Sequence, residues 1–135
     1  MKKLNLIVLI VITLFSTKTI AQDYTSFEVN NVPNEIAREA INKTLSDLNL
    51  GGHIWKNKNA TETNFYNYST LIAKNRLKFK VLVKNDKILF SIFNRQYKSN
   101  GSWVDNPMPM NKKKAAKILK PIKKKLLSLL PDNKN

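Results

Sequence analysis

The alternation of apolar and polar side chains is sharpest between Leu77 and Ile92. Leu77, Phe79, Val81 and Val83 alternate with Lys78, Lys80, Leu82 and Lys84; beyond Asn85-Asp86, Ile88, Phe90 and Ile92 alternate with Leu89, Ser91 and Phe93. Two runs of period two joined by a two-residue Asn-Asp segment predict an antiparallel hairpin. A turn at that point sets Lys84 opposite Lys87, and so Val83 opposite Ile88, Val81 opposite Phe90 and Phe79 opposite Ile92. Every inward side chain then meets an apolar partner. A slip of one residue would turn the whole set outward, so the pattern and the turn specify the same register.

Two stretches carry the helical period instead. From Asn34 to Asn49, Ile36, Ala37, Ala40, Ile41, Leu45 and Leu48 recur on one face, with Asn34 as the expected N-cap and Gly51 as the expected stop. Glu35 and Glu39 sit near the positive end of this helix, where the dipole favours carboxylates; that explains them better than a catalytic pair. From Lys112 to Leu130, Ala115, Ile118, Leu119, Ile122, Leu126 and Leu129 fall within an arc of about 100°, while Lys113, Lys114, Lys117, Lys120 and Lys124 take the other side. Pro121 lacks an amide hydrogen and disfavours helix at Lys120, which predicts a kink or a restart. Lys112, Lys113 and Lys114 lie at the unfavourable end of the dipole.

The remaining segments read as short strands. Tyr24 to Val29 alternates weakly, and Asn30-Asn31-Val32-Pro33 breaks it. His53 to Lys58 and Glu62 to Leu71 are expected as strands joined near Asn59-Ala60-Thr61. Lys98 to Ser102 has turn chemistry, Trp103-Val104 returns as a short strand, and Pro107 and Pro109 end regular structure. At the other end, Met1-Lys2-Lys3, the apolar run Leu4 to Phe15 and the small or polar run Ser16 to Ala21 have the layout of a secretory signal peptide. Thr19 and Ala21 at the −3 and −1 positions place cleavage after Ala21. An apolar run of about twelve residues is short of the roughly twenty that span a bilayer; an uncleaved anchor is the competing reading. The expected organisation is a signal peptide over 1–21 and one domain over 22–135.

Composition narrows the chemistry. The chain has 135 residues, about one domain by the usual length prior. With no Cys there is no disulfide framework, zinc ribbon, thiol nucleophile or lipidated cysteine. Three Gly, two of them adjacent at Gly51-Gly52, supply neither a dinucleotide fingerprint nor a P-loop, so no cofactor is expected. Lys and Arg number 24 against 9 Asp and Glu, for a net charge of +15, and only Lys2, Lys3 and Lys18 leave with the signal peptide. The basicity therefore belongs to the mature chain. The abundance of Lys and Asn also has a compositional explanation, since both have A/T-rich codons.

The order of signal peptide, strand, helix, several strands around a Lys-Asn-Asp-Lys hairpin and a final helix resembles one family. It is a group of small exported Bacteroidota proteins of unknown function assigned a fold like that of the TATA-binding protein. The residues that carry it are Phe27-Glu28-Val29, the run Leu77-Lys78-Phe79-Lys80-Val81-Leu82-Val83-Lys84-Asn85-Asp86-Lys87, the run Ile88-Leu89-Phe90-Ser91-Ile92, and the cleavage region Ile20-Ala21-Gln22. The match covers residues 24 to 105 and rests on alternation rather than on signature residues. The chain departs from the pattern in having Asn85-Asp86 where such hairpins usually carry Asp-Gly. The resemblance implies a two-layer α+β architecture, with an N-terminal-side helix and a C-terminal helix on one face of a curved antiparallel sheet. It implies no catalytic residue.

Catalytic and metal chemistry find little footing. His53 is the sole imidazole and precedes Ile54-Trp55 in an expected strand, so it reads as an ordinary surface or strand-end histidine; the carboxylates are scattered without calcium-loop spacing. A non-enzymatic binding or structural module of the cell envelope is the favoured class. If Phe79, Val81, Val83, Ile88, Phe90 and Ile92 face the helices, then Lys78, Lys80, Leu82, Leu89, Phe93 and Arg95 share the outer face. That mixture of apolar and basic groups suits an unknown protein, a lipid or an anionic polymer. The bland reading is a few scattered exposed apolar residues, or a face covered by another strand or loop. The runner-up is an anionic-surface binder acting through Lys113, Lys114, Lys117, Lys120 and Lys124, although a stripe-bearing helix equally suits packing on a sheet. Specific nucleic-acid recognition is not expected of an exported chain, and fold alone does not carry function.

Overall fold

A computed structural model describes residues 23–50, 52–68 and 73–131. The expected signal peptide, Gly51 and Leu71 lie outside the described residues. The elements are β1 (Ser26–Val29), α1 (Asn34–Asp47), β2 (His53–Asn57), β3 (Ala60–Thr63), β4 (Tyr66–Asn67), β5 (Asn75–Lys84), β6 (Lys87–Ser99), β7 (Ser102–Asp105) and α2 (Lys112–Ser128). The architecture is α+β, an antiparallel sheet with two helices. A 3-10 turn, Asp23–Thr25, takes the place of the expected start of the first strand.

The β5–β6 hairpin forms in the register that the pattern dictates: Lys84 pairs with Lys87, Val83 with Ile88, Val81 with Phe90 and Phe79 with Ile92. Asn85 and Asp86 both take positive φ, 54° and 58°, which is the type I′ geometry that matches the twist of the strands. The same device recurs at Asn100 and Gly101, with φ of 49° and 81°, and turns β6 back into β7. The sheet runs β1-β6-β5-β3-β2, with β4 continuing the β3 side of β5 and β7 lying along β6. Thr63 bridges the break between β3 and β4, its hydroxyl accepting from the Phe79 amide at 2.9 Å. Over its described part, the strand expected from Glu62 is thus two short ones.

The helices pack on one face. Ala37, Ala40, Ile41 and Leu45 of α1 and Ala115, Leu119, Ile122 and Leu126 of α2 join Leu77, Phe79, Val81, Val83, Ile88, Phe90 and Ile92 in one apolar cluster. Phe90 lies at its centre, stacked on Phe27 at 5.3 Å and tilted against Phe79 at 5.4 Å. Lys125 pairs with Asp47 at 3.2 Å and ties the two helices together.

Helix ends differ from expectation in instructive ways. Asn34 is the first helical residue and Pro33 precedes it as cap, with no side-chain bond; the Ala37 amide bonds the Pro33 carbonyl instead. Helix α1 stops on Asn49, not on Gly51. Asn49 takes φ 51°, its amide bonds Ser46 O, and the Leu50 amide reaches back to Leu45 O at 3.1 Å. That is a Schellman closure with Asn in the left-handed position, and the buried Leu45 and Leu50 complete its apolar contact. Helix α2 has the side-chain cap: Asn111 Oδ1 accepts from the amides of Lys113 and Lys114, offsetting the placement of three lysines there. It passes Pro121 as a single helix, with no restart. Pro121 is exposed, so the carbonyl left without a partner one turn earlier lies away from the core.

The candidate site on the open sheet face

The face of the sheet turned away from α1 and α2 is built in rows by the strand register. Residues directly opposite share a face, so one row reads Asn67, Arg76, Gln96, Asp105 across β4, β5, β6 and β7. The next reads Lys78 and Asn94, then Glu62, Lys80, Ser91 and Ser26, then Ala60, Leu82, Leu89 and Glu28. The face is cationic at both ends, with Arg76 and Lys78 toward β7 and the exposed Lys84–Lys87 pair at the hairpin turn, and Leu82 and Leu89 form an apolar row between them. Lys78, Lys80, Leu82 and Leu89 are half-buried by their lateral neighbours, and Phe93 is 40% exposed.

A β-bulge corrects one of the expected positions, that of Arg95. The register shifts between Lys78 and Phe79, so Lys78 faces Asn94 and Phe93 becomes the extra residue. Beyond it the alternation is reversed. Arg95 lies opposite Leu77, a fully buried core residue, and so belongs to the helix side rather than to the outer face. There Arg95 Nη1 donates to the Met108 carbonyl at 2.7 Å, beside a groove of about 240 Å3 that Tyr24, Ile92 and Met110 also line. Phe93 keeps its place near the outer cations, with Lys80 Nζ 5.8 Å from its ring.

The centre of the cationic end is Arg76, which the alternation alone does not single out. Its guanidinium carbon lies 3.9 Å from the Phe65 ring centroid and 4.2 Å from that of Trp103, while Nε donates to Gln96 Oε1 at 2.8 Å. Gln96 in turn donates to Asp105 Oδ1 at 2.8 Å. Lys78 Nζ stands 4.7 Å from the Phe65 ring and Lys98 Nζ 5.7 Å from that of Trp103. Each cation sits against the negative face of an aromatic ring, which holds positive charge in place without neutralising it. Glu62, the acid nearest Lys80 in the register, is paired with Lys56 at 2.9 Å.

The lysines of α2 divide. Lys113, Lys117, Lys120 and Lys124 are exposed, whereas Lys114 is half-buried with Nζ 5.5 Å from the Tyr68 ring. Lys114 and Lys117 border a groove of about 420 Å3 over Leu48, Leu50, Tyr66, Ile118 and Pro121. The apolar stripe of α2 is spent on the core. Only its charged side is available to a partner while the helix stays packed.

His53 lies half-buried at the start of β2, against α1. Its Nε2 and the Trp55 Nε1 both lie 2.7 Å from Asn42 Oδ1, so two residues of β2 close on one side chain of α1, and Arg38 stacks over Trp55 at 4.7 Å. Among the described residues no group of three or more His, Asp or Glu side chains is arranged to hold a metal ion. Among them also, no helix is long and apolar enough to cross a membrane. No protein-family model matches the chain, and no curated protein matches it in sequence.

Proposed function

We propose that this is an exported, non-enzymatic binding module of the cell envelope that holds an anionic partner on its open sheet face. The observation that carries the reading is the array of Arg76, Lys78, Lys80 and Lys98 held against Phe65, Phe93 and Trp103 on the side turned away from α1 and α2. Charges fixed on a rigid sheet lose less freedom on binding than charges on mobile side chains. A binding role rather than a catalytic one is supported by His53, the sole imidazole, being committed to Asn42. Export is supported by the three-part pattern over residues 1–21.

The runner-up surface, the exposed lysines of α2, is separated by variants. Pull-downs from envelope extracts at low and high salt are compared for Lys78→Gln/Lys80→Gln/Lys98→Gln and for Lys113→Gln/Lys117→Gln/Lys120→Gln/Lys124→Gln. Partners that resist salt should disappear with the sheet variant and persist with the helix variant. The reverse pattern moves the binding surface to α2. Partners lost equally from both, and only at high salt, would reflect net charge alone.

A further inference from the structure

We infer that Arg76 is the anchor of a site for a linear acidic polysaccharide lying along β5, whose carboxylates meet Arg76, Lys78 and Lys80 in turn. The inference deepens the open-face reading and rests on it. Two rings fix the plane of the Arg76 guanidinium, and the bond from Nε to Gln96, itself held by Asp105, fixes one edge. That leaves the two Nη nitrogens as an oriented fork, and among the described residues no carboxylate pairs with it. A carboxylate accepts two parallel N–H bonds from such a fork, and a fork that is already immobile loses little freedom in forming them.

The repeat along the strand gives the ligand its shape. Side chains on one face of a strand recur about every 7 Å, so Arg76, Lys78 and Lys80 set three cations in line, with Lys98 beside the first. The polar Asn67, Ser91 and Asn94 flank this line in the register and suit sugar hydroxyls. A single-stranded nucleic acid presents similar charge, but its affinity draws on bases stacked against free ring faces. Here Phe65 is taken by Arg76 and Lys78, Trp103 by Arg76 and Lys98, and Phe93 by Lys80. The surface offers N–H donors where a base would need a bare ring.

The test titrates the protein with polygalacturonate oligomers and with oligothymidylate of equal charge at one ionic strength, read by isothermal titration calorimetry. Polygalacturonate should bind about tenfold more tightly. Arg76→Lys, which keeps the charge and removes the fork, should lose about tenfold in affinity, the scale of one charge-assisted hydrogen bond. Gln96→Leu, which alters no charge and only unties the fork, should lose severalfold, and it serves if Arg76→Lys proves misfolded by circular dichroism. Equal binding of the two polymers overturns the inference, as does wild-type affinity in the folded variants. If the three-lysine sheet variant loses polygalacturonate while Arg76→Lys and Gln96→Leu retain it, the anchor fails and the open-face reading stands. If the sheet variant retains it and the α2 variant loses it, both fail.

Discussion

Single residues at turns and caps carry much of what makes this fold definite. Asn31, Asn49, Asn85, Asp86 and Asn100 take positive φ, a region that most L-residues avoid and that Asn and Asp tolerate. With three glycines in the chain, asparagine does the conformational work usually given to glycine. The hairpin turn shows the cost. Asp86 is exposed at φ 58°, and among the described residues only its backbone carbonyl is engaged, accepting from the Val32 amide at 2.8 Å. Asp86→Gly should therefore relieve left-handed strain, less the extra freedom gained by the unfolded chain, for a net stabilisation of about 0.5 kcal/mol. A rise of roughly 2–4 °C in the thermal midpoint would register it; a fall would mean that the aspartate side chain supports the turn.

At the scale of elements, the β5–β6 hairpin was legible down to its register because two independent signals, alternation and turn position, agree. Legibility ended at the bulge. Beyond Ile92, one extra residue reverses the faces, so Arg95 goes to the helix side while Asn94, Gln96 and Lys98 come to the outer one. No local pattern announces a bulge that the partner strand creates. The Lys-rich helix was legible as an amphipathic segment, but its two possible destinations, sheet or membrane surface, share one apolar stripe. Burial of Leu119, Ile122 and Leu126 decides for the sheet. At about 1.5–3 kcal/mol for each buried side chain, their loss approaches the whole stability of an ordinary domain, about 5–15 kcal/mol. Truncation after Met110 should abolish the cooperative unfolding transition. A truncated chain that still melts cooperatively would show α2 to be an appendage free to bind elsewhere.

For the whole molecule, the cations of the described residues fall on surfaces of different character. The sheet face holds its cations against rings at fixed spacing, whereas Lys113, Lys117, Lys120 and Lys124 project from α2 into solvent. The first is a geometry that a particular ligand can match; the second is a field that any anion feels. Export would leave both intact, since β1 begins only at Ser26 and the buried core only at Val29. The exported protein should begin at Gln22, and an intact mass lacking Met1–Ala21 will check this. A mass that retains the segment would show that the chain is not cleaved there.

What the sequence determined by itself was whatever depends on near neighbours. The period of each element, the position of each turn and the register of the hairpin are set within a few residues, because side-chain direction follows backbone geometry. Asn49 could have been read in the same way, as an asparagine two residues before the glycine credited with the stop. The Arg76 cluster is of another kind. Phe65 comes from the break between β3 and β4, Trp103 from β7, and Gln96 from beyond the bulge; they meet because β4 and β7 pair on opposite sides of the hairpin. Alternation could have extended the basic row back from Lys78 to Arg76. Only the tertiary pairing decided that this arginine lies between two aromatic rings, since contacts among side chains so far apart in the chain exist only once the sheet has formed.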